Sequence, residues 1–129
     1  MIVMPINTAF GKFFKQKRIE LNLTLREFCR INEFDPGNIS KIERGLLSPP
    51  QKKEKRLQYA AALGIKEGTD DWLTFCDLAT TSVGRMPPDI ASDEEVMNAL
   101  PILFRSVRKK SLDEEDLRKL TESIRRELR

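Results

Sequence analysis

The chain of 129 residues contains no histidine and only two cysteines, Cys29 and Cys76. Without imidazole the usual general base is missing, and every histidine-containing triad is excluded. Two thiols also supply too few nitrogen and sulfur ligands for a structural zinc site within one chain. Each cysteine falls inside an apolar-periodic segment, where a thiol behaves as a small buried hydrophobe. The carboxylates sit in helix first turns beside lysines and arginines, with no pair placed for acid–base work. The expectation is a protein that is not an enzyme and holds neither cofactor nor metal.

Long apolar runs are missing as well. Ala60 to Leu63 and Leu100 to Phe104 are the longest, far short of the roughly 20 residues that span a bilayer. The apolar Met1 to Ile6 lacks a basic leader, a long central run and a small-residue cleavage site. Neither a membrane helix nor a secretion signal is expected, which points to the cytoplasm. What is present is 40% apolar and 33% charged sequence, enough for one core, or a small domain with an appendage for dimerisation.

The charge is unevenly distributed. Residues 1 to 68 hold 13 Lys and Arg against 7 Asp and Glu, a net of +6, whereas residues 69 to 129 hold 10 against 13, a net of −3. A basic module followed by a mildly acidic one fits a nucleic-acid-binding part joined to an interaction part.

Helical periodicity runs through the chain, and glycine and proline fall mainly at its punctuation points, so the fold class is all-α. The first segment, Thr8 to Leu21, carries the stripe Phe10, Phe14, Leu21. Thr24-Leu25-Arg26-Glu27 has capping-box spacing and opens a second helix with Leu25, Phe28 and Ile31 inward. After a turn at Asn32-Glu33-Phe34, in which Asn32 takes the left-handed backbone, Asp35 is a good N-cap, Pro36 suits the first helical position, and Gly45 can close the helix. Ile39 and Ile42 share its inner face, leaving Pro36, Gly37, Asn38, Ser40, Lys41 and Arg44 outside.

A fourth helix spans Gln51 to Leu63 with Leu57, Ala60, Ala61 and Leu63 inward, and Thr69 caps a fifth from Asp70 to about Thr80. Residues 82 to 91, with Gly84, Pro87 and Pro88, read as a linker. Ser92-x-x-Glu95 and Ser111-x-x-Glu114 then open two amphipathic helices. Pro101 predicts a kink or a break in the first. The organisation is therefore 1 to 81 as one domain, 82 to 91 as linker and 92 to 129 as a helical interaction region.

Two short helices three or four residues apart, the second polar outward, constitute a helix-turn-helix arrangement. The run Arg18-x-x-x-x-Leu23-Thr24-x-x-x-Phe28, then Asn38-Ile39-Ser40-Lys41-Ile42-Glu43-Arg44-Gly45 and Ser48-Pro49-Pro50, resembles the Cro and phage-repressor, or xenobiotic-response-element, helix-turn-helix family. Leu57, Ala60, Ala61, Leu63 and Gly64 match the pattern of that family's fourth helix. The sequence departs from the family at Leu25, where many members carry glutamine, and at Pro36 and Gly37, where long polar readers are common.

The resemblance implies a five-helix lambda-repressor-like domain followed by a small dimerisation region. It also implies a sequence-specific transcriptional regulator, expected to repress its own operon from an inverted-repeat operator as a homodimer. Asn38 and Lys41 are the expected base readers in the major groove of double-stranded DNA, helped by Ser40, Gly37 and Pro36. Arg18, Lys17, Arg44, Lys52 and Lys53 are assigned to phosphates, although Glu43 can withdraw an arginine from that role. Leu117, Leu120, Ile124 and Leu128 form the expected dimerisation stripe. Two alternatives stay open: an antitoxin that binds a toxin partner and represses its operon, or a mobile-element repressor inactivated by a partner protease cutting near Leu103-Phe104-Arg105.

Overall fold

Side-chain caps mark the starts of four of the helices. In the computed structural model, which describes residues 8–109 and, beyond them, residues 114, 115, 118, 119 and 122, the chain divides into two units, Met1–Pro87 and Pro88–Arg129. The first contains α1 (Ala9–Glu20), α2 (Leu25–Asn32), α3 (Pro36–Glu43), α4 (Lys53–Ala62) and α5 (Asp70–Thr81). The second contains α6 (Pro88–Ala91) and α7 (Glu94–Arg108). Among the described residues all regular structure is helical, as expected for an all-α chain. The dimerisation stripe Leu117, Leu120, Ile124 and Leu128, the Ser111 box and the N-terminal Met1 to Ile6 lie outside the described residues.

Three caps follow the sequence reading. Thr24 accepts from the Glu27 N–H at 3.2 Å while the Glu27 side chain answers, Asp35 accepts from the Asn38 N–H at 3.3 Å, and Thr69 accepts from the Trp72 N–H at 3.2 Å. Elsewhere the structure corrects the expectation. Asn32 stays helical, its side-chain amide donating to the Phe28 carbonyl at 2.8 Å, so the left-handed residue that ends α2 is Glu33, at φ 57°. Gln51 lies before α4 because its side chain donates to the carbonyls of Ala79 and Pro49. Ser92 closes α6, its N–H bonded to the Pro88 carbonyl, and the N-cap of α7 is Asp93, whose carboxylate also favours the helix dipole.

Two further expectations are met only in part. Of the kink or break expected at Pro101, the break does not occur: the proline removes one helical donor, yet α7 continues through it. Residues 88–91, read as linker, are helical, and the division of the chain falls at Pro87 and Pro88.

Aromatic packing builds the core of the first unit. Phe10, Phe14, Phe28 and Phe75 are at most 1% exposed. Phe14 meets Phe28 and Tyr59 edge-on at 5.8 and 5.9 Å, and Phe10 meets Phe75 edge-on at 5.0 Å. Such geometry adds about 0.5–1.5 kcal/mol per pair beyond the area buried. Leu21 and Ile31, expected inward, are 40% and 55% exposed, because Arg18 and Cys29 hold the buried positions of their helices. Helix α1 packs on both α3 and α5, and α2 packs on α3.

Gly11 allows the closest of these approaches. A Cβ there would stand 2.5 Å from the carbonyl oxygens of both Ile42 and Glu43, backbone atoms that cannot rotate away. Gly11→Ala is therefore expected to destabilise the first unit by about 3 kcal/mol in urea denaturation, well outside the range of an ordinary helix glycine, where alanine stabilises.

Burial also pushes the Cys29 thiol above its ordinary 9.0 and the Tyr59 hydroxyl above 10.0. The folded chain thus keeps protons that the unfolded chain releases, so this stability is fully present below the unfolded values and is lost as pH rises through and beyond them. With no histidine to titrate, urea midpoints should stay level between about pH 6 and 8 and fall above about pH 9.

Candidate nucleic-acid interface

Helix α3 is short, and its two sides are chemically opposite. Asp35 caps it, Pro36 occupies a first-turn position whose N–H is not needed, and Gly45, at φ 76°, follows its end. Ile39 and Ile42, at 1% and 3% exposure, fix its inner face to the core. Asn38, Lys41 and Arg44 recur every three residues and are all exposed, so the structure brings them together on one outer stripe. Gly37 belongs to the same stripe and is open: a Cβ at this position would meet only the Asp35 carboxylate, at 3.5 Å. Pro36 is exposed at the helix start. Ser40 is half-buried and lies at the edge of that stripe, between Arg44 and Glu43.

Arg18 is not a surface cation. Its side chain is 9% exposed and that of Glu43 6%, and the two form a bidentate pair, Nε to Oε2 at 2.8 Å and Nη2 to Oε1 at 3.0 Å. The remaining Nη1 donates to the Leu23 carbonyl at 2.8 Å. The hydrogen bonds to Glu43 hold the guanidinium pKa above its usual value against the opposing effect of burial. Its assignment to phosphate is corrected: a guanidinium enclosed in this way clamps α1 and the segment before α2 onto α3.

Lys17 also has acidic neighbours, at a more exposed position. It donates to Asp71 at 2.7 Å and lies 3.4 Å from Glu20, with its ammonium 5.6 Å from the Phe13 ring centre. The bond to Asp71 raises its pKa, and its charge ties α1 to α5. Lys53 approaches Glu67 at 3.2 Å, but both are more than half exposed, so the pair is weak and water-screened. Lys52 is exposed at the N-cap of α4, and Arg44 is exposed with Nε donating to the Ser40 carbonyl at 3.3 Å.

Sequence reasoning passed over Arg26 and Arg30, both exposed on α2, the helix packed against α3. Helical spacing from Phe28, which is buried, was the signal that could have marked them as outward. It also passed over Gly11, whose contact is between residues distant in sequence and leaves no local trace. Leu103, Phe104 and Arg105, the conceivable cleavage neighbourhood, lie inside α7 rather than in an extended stretch that a protease can grip.

Among the described residues no group of His, Cys, Asp or Glu is placed to hold a metal ion, and no helix is long and apolar enough to cross a membrane. No family model, curated protein or solved structure matches the chain. The functional reading therefore rests on the geometry of α3 and its clamp.

The clamp makes a specific energetic prediction. Arg18→Ala leaves a buried carboxylate without its partner and is expected to cost about 3–5 kcal/mol in urea denaturation. Replacing both residues, Arg18→Met with Glu43→Leu, should recover most of that loss, because no charge is then stranded in the interior.

Proposed function

We propose that this protein is a sequence-specific DNA-binding transcriptional regulator of the cytoplasm. In this reading α2 and α3 act as a helix-turn-helix of the Cro and phage-repressor type, and the chain represses its own operon as a dimer on an inverted repeat. The observation that carries the proposal is the polarity of α3: its inner side is anchored by Ile39, Ile42 and the Arg18–Glu43 pair, while Asn38, Lys41 and Arg44 line the free side. A rigid short helix with a polar, cationic outer stripe is the element that enters a major groove.

Roles follow from side-chain chemistry. The Asn38 amide offers one donor and one acceptor, the pattern that pairs with adenine N7 and N6, and the Lys41 ammonium donates to guanine acceptors. Gly37 and Pro36 permit close approach of the helix start, and a proline ring can touch a thymine methyl. Arg44 and Lys52, at the end of α3 and the start of α4, serve phosphates, as do Arg26 and Arg30 on α2. Ser40, half-buried, is a lesser contributor. With few side chains reading bases, one copy covers a half-site weakly, and two copies on an inverted repeat supply the affinity.

Fluorescence anisotropy with the DNA upstream of its own gene and with a scrambled duplex, at several salt concentrations, tests the assignment. Asn38→Ala and Lys41→Ala are each expected to lower affinity for the upstream duplex by roughly tenfold or more while leaving the scrambled duplex nearly unchanged. Arg44→Ala should weaken both duplexes alike and reduce the salt slope by about one. Equal weak binding to both duplexes, unaltered by Asn38→Ala and Lys41→Ala, would reject the reading and direct attention to a protein partner.

A further inference from the structure

The segment between α3 and α4 begins at Arg44 and ends at Lys52, two of the cations assigned to phosphates. Its first half is held by its own backbone: the N–H groups of Leu46 and Leu47 donate to the Lys41 carbonyl at 2.8 and 3.3 Å. Residues 48–52 are held differently. Pro49 and Pro50 have no N–H to donate, and Lys52, the N-cap of α4, makes no side-chain cap bond.

A side chain of α4 fastens them. The Arg56 guanidinium donates from Nε to the Pro50 carbonyl at 2.8 Å, and from Nη2 to the Gln51 side-chain oxygen and the Thr80 hydroxyl, both at 3.1 Å. The Gln51 amide in turn donates to the carbonyls of Pro49 at 3.1 Å and Ala79 at 2.9 Å. Ala79 and Pro49 are both buried, so the segment is tied to a part of α5 that belongs to the core. A guanidinium suits this task, because its planar fork of donors reaches several acceptors in fixed directions, which an ammonium on a flexible stem does not reproduce. The acceptors are a carbonyl, an amide oxygen and a hydroxyl, so what Arg56 supplies here is geometry.

We propose that Arg56 is a positioning residue for DNA binding: it holds residues 48–52 on the end of α5, so that Lys52 stays where it meets a phosphate beside the groove that α3 enters. The inference rests on the DNA-binding reading of α3. A lysine delivers its charge cheaply only where its backbone is already in place, since a loose segment must be ordered on binding and the lost entropy is subtracted from affinity. Arg56 lies one turn beyond Lys52, its N–H bonded to the Lys52 carbonyl at 3.0 Å, and its side chain grips Gln51, the residue before Lys52. The outer stripe of α3 is anchored separately, by Ile39, Ile42 and the Arg18–Glu43 pair. Arg56 therefore governs the sequence-independent part of the affinity and leaves discrimination between duplexes to α3.

Fluorescence anisotropy of the full chain with the upstream and scrambled duplexes, over a series of salt concentrations, supplies the test, with urea denaturation to verify that each variant is folded. Arg56→Met, Arg56→Lys and Lys52→Ala should each weaken both duplexes roughly fivefold and lower the salt slope by about one. The double variant Arg56→Met with Lys52→Ala should bind no worse than either single variant, because both changes remove the same phosphate contact. Thr80→Val, which deletes one acceptor and keeps the shape, should cost about twofold, and nothing further in the Lys52→Ala background. Without DNA, Arg56→Met should lower the amide order parameters of Gln51 and Lys52 and leave those of Ile39 and Ile42 unchanged. Arg56→Met that binds like the wild type, Arg56→Lys that keeps full affinity through its charge alone, or losses that multiply in the double variant would overturn the proposal. A wild-type chain that binds neither duplex at any salt concentration is a separate result, which rejects the DNA reading itself and the role of Arg56 with it.

Discussion

The buried pair between Arg18 and Glu43 is the constraint on which the first unit depends. Taking a guanidinium and a carboxylate out of water costs several kcal/mol per ion, and only good geometry offsets it. Two nearly parallel contacts at 2.8 and 3.0 Å and a third to the Leu23 carbonyl provide that geometry. Net stability is not the main consequence of such a pair, since an apolar substitute of the same shape can do as well. Its consequence is position: few arrangements of α1, the residues before α2, and α3 satisfy every donor and acceptor at once. Gly11 sharpens the constraint, because the absence of a Cβ lets α1 reach the carbonyls at the end of α3.

That position determines what the surface can offer. The clamp withdraws Arg18 from any external partner, and Lys17 lies against Asp71. What remains on α3 is a narrow stripe of Asn38, Lys41 and Arg44, set off by exposed cations on α2 and at the start of α4. A stripe of three such residues reads few base pairs, which is why the proposed function needs two copies. The cations of this surface belong to the part of the chain that is basic in the sequence, before Gly68, and the part after it is mildly acidic.

Much of the architecture was legible because it is local. Thr24, Asp35 and Thr69 cap the helices they were expected to cap, since a side-chain oxygen next to free N–H groups acts within one turn. Phe10, Phe14, Phe28, Ile39 and Ile42 are buried as their spacing demanded. The misreadings arose where two local solutions compete or where a distant partner decides. Asn32 and Glu33 both stood at the turn, and the bond from Asn32 to Phe28 moved the left-handed residue on by one. Ser92 and Asp93 were both able caps, and α6 claimed the serine. Arg18 looked like a cation at the end of a helix until Glu43, 25 positions away, enclosed it.

The central claim is that α3 is held rigidly from behind so that Asn38, Lys41 and Arg44 meet DNA. Amide and side-chain NMR shifts of the labelled protein, titrated with the duplex upstream of its own gene, test it most directly. The account predicts that the largest changes fall on Asn38, Lys41, Arg44 and the start of α4, while the Arg18 guanidinium signals and the resonances of Ile39 and Ile42 stay nearly fixed. Changes centred on α5 or α7, or loss of the Arg18–Glu43 pairing on binding, would contradict it.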